Sequence, residues 1–581
     1  MRYLWASVAI LLFTLFGFSQ QQRFGELIGS PQMGNVKNTA VLEIPYLTWG
    51  GDEAFFHANG GLETQKGSTY DQQGLKIKFV KGDDFSEQTR RYIKGETPFL
   101  RGTMSMIGMA SEVCGENPET IPVTILQLTW SAGDYVVARK ELKTLNDLKR
   151  DGKKVKIAVQ QGGPHVGLVY DILEAVQLKK NDIEVVFVED LTGPKGPAEL
   201  FRKDKSIDAC CVITPDMIGL TGGLTSTGTG AEGTVAGSHV LVSTQTMSRS
   251  IADVLCVRKD FEKTKKLNAE YKGVLTQMQT IFGKDVLPTL EVDAHGMLMD
   301  ATFVGLEGNV SFFEDKGNLS GFERKMKSSV DMAIGWGYAK DRRSMYASGM
   351  DYQSIANRAG LKYTRPAPTG GRVIAESTDL FPDSELDNRT ILSFVIAFKA
   401  NQNDFSVEQY GADFERAIKT ASTFGNAVVL IRGHSDPTKT LVDLLKAGME
   451  KGVVTREGDK GNYSYKLNGK PLDLSQTKAI ETLIKSGAFD GAKEVSPRDT
   501  MQAALNLSAA RAEAVKKALS VYAKDKGFNL DLSQIVPVGA GISQPVVPRP
   551  KNIHEAEKNM RVEFRIIRVD AESLKPTDSL P

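Results

Sequence analysis

The sequence predicts a mixed α/β protein made of two folded units. Strand-like and helix-like segments alternate from about residue 38 to 362 and again from 391 to 568, the pattern of sheets covered by helices. Between these regions, residues 363–390 contain three prolines and two glycines among mostly polar residues, which is the composition of a linker. We therefore expect a larger N-terminal unit and a smaller C-terminal unit that move independently of each other.

Composition excludes several classes of function. The chain has 581 residues, enough for two or three domains, and 72 Lys and Arg balance 71 Asp and Glu to a net charge of +1. That balance provides no electrostatic footprint for nucleic acid. Four cysteines fit no zinc-binding spacing, and six histidines show no paired spacing, so no metal or cofactor is expected. The adjacent Cys210 and Cys211 lie in an apolar run and are expected to be buried free thiols.

The first residues have the pattern of a secretory signal peptide. Met1 and Arg2 give a positive start, residues 3–18 are almost wholly apolar, and Ser19 ends a run that suits cleavage. An uncleaved N-terminal anchor is the alternative, although the run is short for a membrane span. We expect residues 1–19 to be removed, the protein to be secreted, and residues 569–581 to form a tail.

The N-terminal region alternates short buried strands with helices. Strands are predicted at 41–47, 75–80, 155–159, 183–188 and 209–213, and helices at 166–176 and 197–203. This order favours parallel sheets. The strand at 155–159 is followed by a glycine turn and then a helix, so free backbone N–H groups and the positive end of the helix dipole offer an anion site. Several such turns would meet in a cleft.

Six residues in these turns are candidates for binding a small solute. They are Trp49, Thr103, Gln161, Gly163, His165 and Asp216. Trp49 would cover an apolar part of a ligand, or else pack in the core. His165 would donate to an anion, or else cap its own helix. Asp216 argues against a bare anion unless the ligand also carries an amine, and its alternative role is also helix capping.

The same region resembles the periplasmic solute-binding proteins of ABC importers, in the sulfonate, taurine and nitrate branch. The resemblance is carried by residues 133–138, 155–165, 208–223 and 243–248. It implies two Rossmann-like lobes over residues 38–362, joined by crossings near Tyr135 and Val242 and closing on a small solute. An ABC permease would be the partner.

The C-terminal region contains three separated motifs. A predicted strand at 427–431 leads into Gly433-His434-Ser435-Asp436, a helix with Ser496 as its N-cap carries Arg511, and Asn559 to Phe564 forms a third motif. Asp436 would lie at the carboxyl end of its strand, where α/β sheets bind ligands. An acid and a base together suit an amino-acid zwitterion, although a salt bridge between them is the alternative.

These motifs resemble the OmpA-like peptidoglycan-binding domain, whose usual patterns are GHTD, NxxLSxxRA and NRRVE. The resemblance implies an α/β sandwich over residues 391–568 that binds the diaminopimelate of the cell wall through Asp436, Arg511, Asn559 and Arg561. Ala504 and Met560 depart from the pattern, and residues 437–495 are read as an insertion that could cover or reshape the pocket.

The resulting hypothesis is a non-catalytic, secreted solute-binding protein tethered to peptidoglycan and serving ABC-type uptake. With the signal pattern, the two resemblances imply the periplasm or cell envelope of a diderm bacterium. One alternative is an envelope scaffold or sensor whose lobes bind a protein. Another is an enzyme similar to the pyrimidine-precursor synthases of thiamine biosynthesis, which His165 with Cys210 and Cys211 faintly suggests. The secretion signal and the wall-binding motifs argue against an enzyme.

Overall fold

The structure is a computed structural model that describes residues 23–150, 152–262, 300–359, 363, 383–397, 407–459 and 462–568. The predicted signal peptide, the predicted tail and most of the predicted linker lie outside these ranges. Within them, no helix combines the length and the apolar character needed to cross a membrane.

The first lobe is built around a mixed sheet. The elements that form it, in chain order, are α1 (Phe24–Ile28), β1 (Leu42–Tyr46), α2 (Glu53–Asn59), α3 (Thr69–Gln72), β2 (Ile77–Lys81), α4 (Phe85–Ile93), β3 (Phe99–Thr103), α5 (Met104–Cys114) and β4 (Pro122–Ser131). β3, β4 and later strands form one sheet, and the parallel pair of β1 and β2 lies beside β3. Every residue of β4 is buried, which suits a central strand covered on both faces.

The second lobe begins after the first crossing, at residues 132–133. Its elements are β5 (Asp134–Ala138), β6 (Lys156–Gln160), α6 (His165–Val176), β7 (Glu184–Val188), α7 (Pro197–Lys203), β8 (Ala209–Ile213), α8 (Thr214–Thr221) and β9 (His239–Ser243). They form a sheet of order β7-β6-β8-β5-β9. The helix at 197–203 and the strand at 209–213 match their predicted bounds, because each has clear start and stop residues.

The chain returns to the first lobe through a second crossing at residues 244–251. The returning elements are β10 (Ala252–Arg258), α9 (Lys259–Glu262), β11 (Ala301–Phe303), α10 (Leu306–Glu314), α11 (Phe322–Trp336), β12 (Tyr346–Ala347) and α12 (Tyr352–Ala359). The first sheet has the order β11-β4-β10-β3, with β12 paired to β4. The two crossings lie next to Tyr135 and Val242, where they were predicted.

The prediction of parallel sheets was wrong for much of this unit. β10 runs antiparallel to both β3 and β4, and β5 runs antiparallel to both β8 and β9. The physical reason is the double crossing: each lobe receives a strand that arrives directly from the other lobe, and this strand runs against its neighbours. Only β1 with β2, β6 with its two neighbours, and β12 with β4 are parallel pairs among the described strands of this unit.

The C-terminal unit is a four-stranded sheet with helices on both faces. Its main elements are α13 (Asp383–Arg389), β13 (Thr390–Ala397), α14 (Val407–Thr423), β14 (Val428–Gly433), α17 (Pro497–Asp525), β18 (Ile535–Gly539), α18 (Ile553–Glu557) and β19 (Arg561–Ile567). The strand order is β13-β19-β14-β18. The long helices α14 and α17 lie on one face of the sheet, and the short helix α13 lies against the other. The Ser496 hydroxyl accepts from the Asp499 amide at 3.2 Å, which confirms the predicted N-cap of α17.

The segment 437–495 folds as a compact addition to this unit. It contains α15 (Thr438–Glu450), β15 (Val454–Glu457), β16 (Ser464–Leu467), β17 (Lys470–Pro471) and α16 (Thr477–Lys485). A separate apolar cluster unites these elements and extends to Met501 of α17 and Ile542. None of the four strands of the main sheet belongs to the segment.

The two units touch, which contradicts the expectation that they move independently. Asn146 of the second lobe exchanges two hydrogen bonds with the backbone of Ser393 in β13, both at 2.8 Å. One apolar cluster of buried side chains runs from the lobes into the C-terminal unit and includes Met247 and Phe414. Linker composition predicts flexibility of the linker itself, but it is silent on whether the flanking surfaces are complementary.

Candidate functional site

The first turns of α5 and α6 meet where the two lobes face each other. Thr103 caps α5, and its hydroxyl accepts from the Met106 amide at 3.2 Å. A Cβ on Gly167 of α6 would lie 2.5 Å from Cβ of Ser105 in α5. Only glycine permits this approach, so the helix starts from the two lobes are in direct contact and the lobes are closed.

His165 is the first residue of α6, and it binds a carboxylate at the crossing. Its Nε2 lies 2.7 Å from Oδ1 of Asp134, and its side chain has no exposed surface. The other carboxylate oxygen of Asp134 accepts from the Ser131 hydroxyl. Nδ1 of His165 is buried and has no hydrogen-bond partner. One ring nitrogen of His165 is therefore bonded to Asp134 at the crossing, and the other has no hydrogen-bond partner among the described residues.

A buried ion network holds the first-lobe loops at the same edge. Arg101 Nε donates to Asp52 Oδ1 at 2.8 Å, and its Nη1 donates to Asp253 Oδ1 at 2.9 Å. The Thr129 hydroxyl donates to the other oxygen of Asp253 at 3.0 Å. Burial raises the pKa of Asp253 to about 6, although the charge of Arg101 opposes this shift. The network fixes the loop after β1 to β3 and β10.

Three other predicted residues lie in loops around this junction. The Trp49 indole is partly buried, and its Nε1 has no hydrogen-bond partner. The backbone N–H of Gln161 donates to the Val188 carbonyl oxygen at 3.0 Å, while its side-chain Nε2 is buried without a partner. Gly163 is buried in the turn that leads into α6. Trp49 and Gln161 thus each have an unsatisfied donor for a guest.

Among the described residues, no hydrogen bond or ion pair joins Asp216 to His165. Asp216 is in the first turn of α8, and burial raises its pKa, with Arg202 and Glu199 of α7 as the neighbouring charges. Its Oδ2 is buried without a hydrogen-bond partner. The charges that act on Asp216 belong to α7, whereas the partner of His165 is Asp134. β6 and β8 are parallel neighbours, so α6 and α8 begin at the same edge of the sheet although these two side chains have different partners.

A small cavity lies between the lobes beside the second crossing. Its volume is about 20 Å³, and its lining includes Ser105 of α5, Asp171 of α6, Ser250 of the crossing and Lys325 of α11. Space of this size suits one water molecule. A larger guest at this point requires the lobes to separate.

Sequence reasoning missed Asp134, Asp52, Arg101 and Asp253. A signal for two of them was present, since Arg101 and Asp253 each interrupt an apolar strand. A charged residue in a buried strand needs a buried partner. Their pairing could not be read from the chain, because 152 positions separate Arg101 from Asp253.

In the C-terminal unit, Asp436 and Asn559 form a bonded pair at the end of β14. Asn559 Nδ2 donates to Asp436 Oδ2 at 2.8 Å, and the Thr438 amide at the start of α15 donates to Oδ1 at 3.0 Å. Asn559 is fully buried, and it also exchanges hydrogen bonds with the backbone of Val547. The carboxylate is therefore held in place while remaining partly exposed.

Arg511 reaches the same loop from α17. Its Nη1 donates to the His434 carbonyl oxygen at 2.9 Å, two residues before Asp436. The side chain is 4% exposed, and burial lowers its pKa. The bond to His434 is the one hydrogen bond that the Arg511 side chain makes to the described residues, so its Nε and Nη2 groups are available to a ligand. No ion pair joins Arg511 to Asp436 within the described chain, so the two charges flank one loop without neutralising each other directly.

Arg561 lies on the face of the sheet opposite α14 and α17. Along β19, Val562 and Phe564 pack in the cluster beneath the helices, whereas Arg561 alternates with them and donates through Nη2 to the Gln544 carbonyl oxygen at 2.9 Å. Of the four residues implied by the OmpA-like resemblance, Asp436, Arg511 and Asn559 converge at the end of β14. Arg561 faces away from Arg511, because successive side chains of a strand point to opposite faces.

Gly433 is required for the close approach of β14 to α17. A Cβ at this position would lie 1.9 Å from the Ser508 carbonyl oxygen. We expect Gly433→Ala to push α17 away, destabilise the protein by about 1–3 kcal/mol and weaken any ligand contact through Arg511. Urea unfolding followed by circular dichroism measures the loss. Gly335→Ala is the control, since a Cβ there meets no atom within 4 Å; equal stability of both variants would contradict the prediction.

All four cysteines are buried and free, as predicted for Cys210 and Cys211. Burial raises the pKa of both adjacent thiols. Cys210 packs in the cluster with α7 and α8, and Cys211 packs in the larger cluster on the opposite face of β8. A thiol with a raised pKa stays protonated and is a poor nucleophile.

Comparisons with known proteins find structural neighbours only. No family model matches the chain, and no curated protein matches it. A putative periplasmic sulfonate-binding protein of an ABC transporter from Methylobacillus flagellatus KT aligns at 14% identity over 58% of this chain and 99% of its own, with a TM-score of 0.39. The alkanesulfonate-binding protein of Xanthomonas axonopodis pv. citri, bound to MOPS, aligns at 12% identity over 54% and 100%, with a TM-score of 0.34. The periplasmic nitrate-binding protein of Synechocystis PCC 6803 aligns at 14% identity over 43% and 64%, with a TM-score of 0.31.

Proposed function

We propose that this chain is a non-catalytic binding protein of the bacterial envelope, which closes its two lobes on a small solute and attaches to peptidoglycan through its C-terminal unit. In this role it would deliver the solute to an ABC-type permease. The N-terminal signal pattern is the reason for placing it outside the cytoplasm.

The observation that carries the solute-binding proposal is the contact between α5 and α6 across the lobes. Two lobes joined by two crossings can open and close as a hinge. Here the first turn of α5, capped by Thr103, and the first turn of α6, which begins at His165, touch at Gly167 and Ser105; we expect opening of the lobes to break this contact. A solute held between them would meet free amide groups from both lobes.

The wall-binding proposal rests on Asp436 and Arg511. The carboxylate is positioned by Asn559, and the guanidinium retains N–H groups that no described residue uses. Together they present an acid and a base to one ligand, which suits the ammonium and carboxylate of diaminopimelate. Arg561 contributes no contact to this pocket.

The two alternatives have weaker support. An enzyme built on His165 and the adjacent cysteines would need a reactive thiolate, and burial raises the pKa of both thiols. A scaffold whose lobes bind a protein would not require the close contact between Ser105 and Gly167.

A thermal-shift screen of the full-length protein tests solute binding. The compounds are sulfonates, nitrate, amino acids and thiamine precursors. A ligand at 100 times its Kd stabilises the folded state by about 2.7 kcal/mol, so one class should raise the Tm.

Gly167→Leu supplies the matched test of where such a compound binds. A larger side chain would hold α6 away from Ser105 and prevent closure, so the shift should disappear. Gly335→Leu, at an exposed position of α11, should retain it. If no compound shifts the Tm and an envelope protein co-purifies instead, the scaffold alternative replaces the proposal; turnover of a compound would favour the enzyme.

A further inference from the structure

The turn between α14 and β14 of the C-terminal unit sits on the second crossing between the lobes. Asn426 Nδ2 donates to the Gln245 carbonyl oxygen at 2.9 Å, and the Arg249 amide donates to the Thr423 carbonyl oxygen at 3.3 Å. A Cβ on Gly425 would lie 2.7 Å from Oγ of Ser248. The turn therefore touches the segment about which the lobes would rotate.

The same unit also contacts the first lobe. Asn529, which follows α17, donates through Nδ2 to Asp315 at 2.7 Å and through its amide to Gly317 at 2.9 Å. The hydroxyl groups of Ser422 and Ser320 are 2.9 Å apart. These first-lobe residues lie between α10 and α11, and α11 packs on α5.

A third group of contacts reaches the second lobe. Besides the paired hydrogen bonds of Asn146 and Ser393, Arg416 Nη2 of α14 donates to the Ala175 carbonyl oxygen of α6 at 3.0 Å. The Arg416 guanidinium also lies 4.1 Å from the centre of the Phe394 ring. The C-terminal unit thus holds both lobes and the crossing at once.

We infer that the C-terminal unit is a brace that holds the two lobes in their closed arrangement. Rotation about the crossings would move α6 relative to α11, so the contacts on Ala175 and those on Asp315 could not all survive opening. Each contact is local, but together they favour one angle between the lobes. A consequence, which rests on the proposed function, is that attachment to the wall fixes the orientation of the solute cleft.

Distance measurement between nitroxide labels on the full-length protein tests the brace. Lys78→Cys in β2 and Glu189→Cys after β7 place one label on each lobe; both native side chains are well exposed, and the four native cysteines are buried. The double change Asn146→Ala and Arg416→Ala removes the three second-lobe hydrogen bonds described above and leaves those of Arg568 to Val240 and Leu241. We expect one narrow distance distribution in the parent and a clearly broader one in the double variant.

Lys517→Ala, at an exposed position of α17, is the control and should keep the narrow distribution. The inference is overturned if the parent is already as broad as the double variant, or if the double variant is as narrow as the parent. Circular dichroism confirms that each variant is folded. No ligand is added, so a negative result here is distinct from a failure to find a solute or a wall contact.

Discussion

Arg511→Ala is expected to weaken retention of the full-length protein on purified peptidoglycan by about tenfold to 150-fold. Arg511 is only 4% exposed, and its guanidinium donates to the His434 carbonyl oxygen, so the group is held in one place beside Asp436. Hydrogen bonds to charged groups contribute about 1.5–3 kcal/mol, which corresponds to a roughly tenfold to 150-fold loss of affinity. Co-sedimentation with cell-wall sacculi at several protein concentrations measures the effect.

Two further variants separate the contribution of charge from that of geometry. Arg511→Lys keeps the positive charge but loses the planar fork, so its retention should fall between those of the parent and the alanine variant. Asp436→Asn should weaken retention because it removes the partner for an ammonium group. Lys517→Ala removes a cation from an exposed position of the same helix and should bind like the parent. Unchanged retention of a folded Arg511→Ala would show that the pocket is not the point of attachment.

The sequence was sufficient for elements whose signals are local. The helix of Arg511 could be placed because Ser496, Pro497 and the apolar stripe that follows are read within a few turns. The bounds of α7 and β8 were predicted for the same reason. Arg561 was assigned to the pocket from the family motif alone; its alternation with Val562 and Phe564 along β19 was a local signal for the opposite face, and it was missed.

What could not be predicted depends on contacts between distant parts of the chain. Strand direction in both lobes follows from the two crossings, and alternation of strands and helices does not reveal which strand crosses. Asn146 and Ser393 are 247 positions apart in the sequence, so no local sequence pattern predicts that they pair.

Arg101→Met is expected to cause the largest loss of stability, about 3–5 kcal/mol. The substitution leaves the buried carboxylates of Asp52 and Asp253 without their positively charged partner. In the parent protein, burial raises the pKa of Asp253 from 3.8 to about 6, and burial also raises that of Asp52. A raised pKa means that the folded state holds a proton that the unfolded state has released. The contribution of Asp253 to the free energy of unfolding therefore falls as pH rises from about 4 to about 6.

The positive charge of Arg101 opposes the upward pKa shift of both Asp52 and Asp253. Without Arg101 both pKa values should rise further, so the free energy of unfolding should continue to fall at higher pH. The variant should thus lose more stability, relative to the parent, at pH 8 than at pH 5, where both carboxyl groups can accept protons. Urea unfolding at the two pH values gives both differences. Arg498→Met is the control: its partner Asp490 is exposed, so it should cost less than about 1 kcal/mol at either pH. Equal losses for Arg101→Met at pH 5 and pH 8 would mean that the side chain stabilises the loop after β1 by packing rather than by charge.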